Sequence, residues 1–320
     1  MATSVGLIAN PAAGRDIRRL TARASLVPNH EKASIVRRVL HGLAAAGVDT
    51  VVYLADNAGI VAAAVDGGRP PLAMDALDLR AHGWASDSTD AARMLAAAGV
   101  GAIVTLGGDG TNRAVAAACG DVPLVAISTG TNNVFPTMVD GTVAGLAAGL
   151  VATGTVAADR VTRRVKRVDV HAAGTADFAL VDAAACTDQF VGTRAIWDPG
   201  RVRALVLTRA EPWSVGLSAI GGGLRPLGPE EPAGLYVELG DGPKVLAAVA
   251  PGLVARVPVR RWRLLELDEP VAFAADECAT VALDGERELA TDGGATAAVT
   301  RNGPRLVDIR ATLRAAAGNG

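Results

Sequence analysis

The chain has 320 residues, half of them hydrophobic and a fifth charged, which is enough to bury a core and excludes wholesale disorder. Its 31 Lys plus Arg, all but three of them Arg, oppose 33 Asp plus Glu for a net charge of -2, so the overall basic field of a general nucleic-acid or membrane-surface binder is missing. At about 100–200 residues per domain the length points to two domains, and the 37 Gly must be divided between turns and close backbone approaches.

No basic segment precedes the first apolar run, unlike a secretory signal, so a cytoplasmic protein is expected. Residues 5–9 read as a short buried strand, ended by Asn10-Pro11-Ala12-Ala13-Gly14. A helical pattern covers residues 29–46, with apolar positions at Ile35, Val36, Val39, Leu40 and Leu43 and a stop at Gly47. Residues 48–54 predict a second strand, and Ser86-Asp87-Ser88-Thr89 supplies capping residues for a helix ending near Gly99. A third strand over 102–106 runs directly into Gly107-Gly108-Asp109-Gly110-Thr111, with a helix expected over 112–119. Residues 122–127 predict a fourth strand, followed by Thr129-Gly130-Thr131-Asn132-Asn133 and a helix from about Thr142.

Strands alternating with helices argue for a doubly wound parallel sheet over residues 1–156. Beyond it, short alternating runs at 168–171, 178–182, 204–208 and 235–239 predict a mainly β, sandwich-like domain over 157–303. The helical pattern near the C-terminus is expected to bring residues 304–320 back onto the first domain. The uncharged stretches 122–139 and 141–158 are broken by Pro, Gly, Asn and Thr, so stable membrane association is not expected. Cys119, Cys186 and Cys278 lack metal-ligand spacing and read as core residues.

Three Gly-, Asn- or Thr-rich loops thus follow strands of one parallel sheet, whose carboxyl ends gather on the edge where ligands bind. In the segment 107–111 three glycines remove Cβ atoms from the path of a ligand, and the following helix N-terminus suits a phosphate. Asp109 would repel that phosphate unless it faces Mg²⁺ or a substrate hydroxyl. The Lys of a Walker A loop and the spacing of a dinucleotide fingerprint are both absent.

The ordered trio of 10–14, 107–111 and 129–133 resembles the superfamily that joins NAD kinases and diacylglycerol kinases, most closely the divergent NAD-kinase-like branch that includes acetoin catabolism protein X. That resemblance implies an ATP- and Mg²⁺-dependent kinase with its site between an α/β and a β-rich domain. Asn10, Gly107, Gly108, Gly110, Thr111, Thr129, Gly130, Thr131 and Asn133 would bind the nucleotide. Asp109 would orient or deprotonate the accepting hydroxyl, or hold Mg²⁺ through water. Leu283-Asp284-Gly285-Glu286 is similar to an Asp-Gly-Glu element of the lipid kinases, so Asp284 and Glu286 would approach from the opposite wall; an Asp-Gly pair is equally a hairpin turn.

Some positions depart from either branch. The acid that follows the glycine loop in lipid kinases is replaced within Asn112-Arg113, their later Asp is Val134, and the NAD kinases' Asn is Ser128. The expected partner is a small-molecule acceptor, NAD(H) or a related nucleotide, with no nucleic acid and with a homo-oligomeric assembly. Two alternatives stand beside this one: a lipid or small-polyol kinase, and a non-catalytic nucleotide-binding accessory protein. The basic clusters Arg160, Arg163, Arg164, Lys166, Arg167 and Arg260, Arg261, Arg263 around Trp262 are read first as solvated faces.

Overall fold

The computed structural model describes residues 2–14, 27–66, 68, 70–130, 133–187, 198–274, 278–291 and 294–318. Elements are numbered here in chain order. The first sheet contains β1 (Ser4–Ala9), β2 (Thr50–Tyr53), β3 (Ala73–Ala76), β4 (Ile103–Gly107), β5 (Leu124–Ser128), β6 (Thr162–Arg164) and β17 (Arg305–Val307). Its strand order is β3-β2-β1-β4-β5-β17-β6, parallel throughout except for β6. The helices joining these strands are α1 (Asn29–Ala45), α2 (Ile60–Val65), α3 (Ala85–Ala97), α4 (Asp109–Ala116), α5 (Gly141–Ala152) and the single turn α6 (Ala158–Val161).

The two-residue period of a strand distributes side chains to both helical layers. On β1, Val5, Leu7 and Ala9 pack with Val36, Val39 and Leu43 of α1, whereas Ile8 packs with Ala91, Ala92 and Leu95 of α3. This is the doubly wound arrangement expected from the alternation. The C-terminal α8 (Ile309–Ala317), capped by Asp308, whose Oδ1 accepts the Ala311 N–H at 2.9 Å, lies on the α1 side of the same sheet.

A six-stranded antiparallel sheet and a four-stranded one form the rest. The larger comprises β9 (Asp182–Cys186), β10 (Val202–Leu207), β11 (Ala233–Ala250), β12 (Leu253–Glu266), β14 (Thr280–Leu283) and β15 (Glu286–Ala290); the smaller comprises β7 (Arg167–Ala172), β8 (Thr175–Ala179), β13 (Val271–Ala274) and β16 (Ala295–Thr300). Val168 and Val170 of β7 share one core with Val206, Val281 and Val299, so the two sheets pack face to face. On the other face of the larger sheet, Leu205, Leu207, Leu235 and Val237 pack with Ile220 of the short α7 (Ser218–Gly222).

Several boundaries differ from the sequence reading. The helix expected over 112–119 begins at Asp109, because an acid is favoured in a first turn beside the positive helix end. The run 178–182 straddles the break between β8 and β9, where the N–H groups of Leu180, Val181 and Asp182 bond the Asp284 carboxylate instead of a strand neighbour. β3 has no β-branched residue and owes its extended form to pairing with β2. β11 and β12 extend far beyond 235–239; irregularities near Leu239 let the ladder pass Gly240.

Glycines outside the expected loops also do more than turn the chain. A Cβ at Gly145 of α5 would lie 2.2 Å from the Val39 carbonyl oxygen, and one at Gly42 of α1 2.3 Å from that of Thr142. These two helices approach at backbone contact, which only glycine permits. The three cysteines are buried thiols outside any disulfide, and burial pushes that of Cys119 up to about 11. Among the described residues no helix is long and apolar enough to cross a membrane.

Candidate functional site

Strand register brings the three loops together. Ala9 pairs with Leu106 and Gly107 with Ser128, so Asn10, Gly108 and Thr129 emerge side by side. The Asn10 N–H donates to Leu106 O at 2.9 Å and the Thr129 N–H to Gly107 O at 3.0 Å. Because β1 has β2 on one side and β4 on the other, this edge is the switch point of the doubly wound sheet.

Side chains then staple the loops. Asn10 Nδ2 donates to Thr111 Oγ1 at 2.8 Å, while its Oδ1 accepts the Ala12 N–H at 2.8 Å. Asn133 Nδ2 donates to Ser128 Oγ at 2.6 Å. Asn112, fully buried, donates to Gly108 O at 2.8 Å and accepts from Thr105 Oγ1 at 2.7 Å. Lys32 is also fully buried, and its ammonium donates to the carbonyls of Asn10, Pro11 and Ala13 at 3.0, 3.2 and 3.1 Å. Sequence reasoning missed Lys32, although it was visible as a cation four residues before Val36 on the apolar stripe of α1.

The glycines of this edge differ in purpose. A Cβ on Gly107 would meet that of Thr111 at 2.4 Å, and Cβ atoms on Gly108 and Gly130 would meet Asn133 Oδ1 at 2.9 and 2.4 Å. These three permit loop-on-loop packing. A Cβ on Gly110 would meet nothing within 4 Å, so open space lies over the first turn of α4, whose N-terminus no side chain caps. Thr129 Oγ1 is buried without a hydrogen-bond partner. An uncapped helix start, open space and an unmet hydroxyl fit a phosphate group. Thr131 lies outside the described residues.

The acids come from both parts of the chain. Asp109, 9% exposed, accepts the N–H of Val134 at 3.1 Å and that of Phe135 at 2.8 Å. Burial, then the charge of Asp284, pushes its carboxyl up to about 7, against the pull of those N–H groups and of Arg209. Asp284 occupies the turn between β14 and β15, at φ +52 with Gly285 at +80. It is thus a hairpin turn and also a buried acid. Its carboxylate accepts from Leu180 N at 3.1 Å and Val181 N at 2.7 Å, with Arg113 Nε at 3.7 Å. Burial raises its pKa, opposed first by Arg113.

Arg113, standing where lipid kinases carry an acid, also donates to Asp177 at 3.2 Å and so ties α4 to β8. Glu286 is half-buried at the first position of β15, paired with Leu283; the second-wall charge felt by Asp109 is that of Asp284. The basic clusters are engaged elsewhere: Arg163 with Glu230, Arg164 with Asp121, Arg167 with Asp169, and Arg260 and Arg261 both with Glu238. Lys166 is buried among the carbonyls of Gly228, Glu231 and Ala233, and burial lowers its pKa to about 8.

Comparison with known proteins agrees with this architecture. A crystal structure from Bacillus anthracis str. Sterne, of a protein provisionally described as a diacylglycerol kinase, superposes with a TM-score of 0.50 at 14% identity, covering 95% of this chain and 97% of that one. Residues 5–156 match the ATP-NAD kinase N-terminal domain, and the fold is NAD kinase-like. Residues 166–303 match the acetoin catabolism protein X C-terminal domain, and the chain is 40% identical to the acetoin catabolism protein X of Cupriavidus necator strain H16, over 98% of this chain and 92% of that protein. The chain belongs to the acetoin catabolism protein X family.

Proposed function

We propose that this protein is an ATP-dependent phosphotransferase of the NAD-kinase-like type, phosphorylating a hydroxyl of NAD(H) or a related nucleotide. The observation that carries the reading is Asp109: a buried carboxyl held near neutrality, at the switch point, beside an open helix N-terminus. Gly107, Gly108, Gly110 and Thr111, with Asn10, Thr129, Gly130 and Asn133, would form the nucleotide cradle, where the α/β part, whose sheet takes in β6 (Thr162–Arg164) and β17 (Arg305–Val307), meets the β-rich part.

Phosphoryl transfer depends chiefly on positioning and charge neutralisation. When bound, Mg²⁺ would neutralise the donor phosphates; Asp109 would hold it through water, since its oxygens already accept two backbone N–H groups. Asp109 would also orient the acceptor hydroxyl and take its proton as the phosphoryl group transfers. Burial, and after it the charge of Asp284, keeps that carboxyl basic enough to do so, and Glu286 stands on the same wall as Asp284.

The test is ADP release from Mg-ATP with NAD, NADH, diacylglycerol and small polyols in separate arms. Turnover with NAD or NADH alone is the expected result; turnover confined to diacylglycerol or polyols would replace it by the lipid-kinase reading. The occupation of Asp109 by Val134 and Phe135 favours the accessory-protein reading, which predicts ATP binding with no turnover in any arm.

A further inference from the structure

One cationic side chain from the antiparallel part reaches the loop that holds Asp109. Arg209 lies just past the end of β10 and is 9% exposed. Its Nη1 donates to the Val134 carbonyl at 3.0 Å, and its Cζ lies 6.0 Å from the Phe135 ring centroid. The N–H groups of these same two residues grip Asp109. Arg209 and Asp109 therefore hold one short segment from two sides. The charged groups around the guanidinium are Glu211, Asp109 and Glu230, with Arg163 opposing.

Arg209 Nε is buried and has no hydrogen-bond partner. Thr129 Oγ1, on the chain segment leading to Val134, is unmet as well. A buried charged donor left open is costly, and an oxyanion is the acceptor that best matches a guanidinium edge. We propose that Arg209 binds a phosphate of the nucleotide seated over Gly107–Thr111, its Nε edge taking a phosphate oxygen while Nη1 stays on Val134. This assignment rests on the phosphotransferase reading. The positive charge of Arg209, which Asp109 feels, would also offset the repulsion between that carboxyl and an incoming phosphate.

The experiment is isothermal titration of the full chain with Mg-ATP and with tripolyphosphate. Wild-type protein is expected to bind both. Arg209→Met is expected to weaken both by about tenfold or more, the loss of a charge-assisted hydrogen bond. Arg209→Lys keeps a charge and a donor for Val134 but has no Nε edge; a loss of roughly threefold to tenfold is expected, and it decides the matter if Arg209→Met does not fold. Wild-type affinity for tripolyphosphate in the folded variants, with or without a lower melting temperature, overturns the assignment and leaves the nucleotide reading standing. Failure of the wild-type chain to bind either ligand overturns both.

Discussion

Asp109 and Asp284 show how much a residue's role depends on what surrounds it. A carboxyl raised from 3.8 to about 7 keeps a proton in the folded protein that the unfolded chain releases. Folding therefore loses stability as pH rises from about 4 to about 7. Asp109→Asn removes that slope, so melting temperatures of the variant and wild type should converge at pH 4 and separate in the variant's favour at pH 8. The same substitution should abolish phosphoryl transfer while the protein stays folded, and full activity in it would end the assignment. If ionised Asp109 takes the hydroxyl proton, wild-type turnover rises through pH 7, which a pH–rate profile checks. The motif around Asp109 was legible because three glycines, an acid and a helix start coincide in sequence. Its protonation was not, because Asp284 and the Val134–Phe135 amides arrive from distant positions.

At the scale of elements, the loop from β4 into α4 separates glycines that serve packing from the one that faces open space. Gly107→Ala would drive a methyl into Thr111 and should destabilise the protein by about 1–3 kcal/mol. Gly110→Ala meets nothing and sits in a helix, so it should leave stability unchanged or raise it by roughly 0.5–1 kcal/mol, read as an equal or slightly higher melting temperature. It should nevertheless weaken binding of Mg-ATP, because the added methyl enters the proposed phosphate space. Equal nucleotide affinity in Gly110→Ala and wild type would remove the cradle from that turn. Periodicity located α1 within a residue, and polar starting residues with a glycine stop located α3 as closely; α5 begins one residue before the expected Thr142. Periodicity missed the β8–β9 break, where a side chain 104 residues from Leu180 takes the backbone's hydrogen bonds.

At the scale of the molecule, Arg113, Asp177 and Asp284 join the α/β part to the β-rich part across the site. Asp284→Asn keeps the side chain's size but can no longer accept all its amide bonds, and should cost about 1–3 kcal/mol in chemical denaturation. Removing its charge also lowers the Asp109 pKa, so the acid limb of any pH–rate profile should move to lower pH. An unmoved limb would show that the two acids do not communicate. The sequence by itself determined the fold class and the three loops, with Asp109 in one of them, because strand alternation, glycine spacing and helix periodicity are local properties. Only the tertiary structure decided that Asp284 rather than Glu286 charges Asp109, that Lys32, Arg113 and Arg209 reach these loops and acids, and that part of the glycine excess serves helix packing. Those depend on which surfaces meet, and burial and Coulomb energy are set by that meeting rather than by neighbours along the chain.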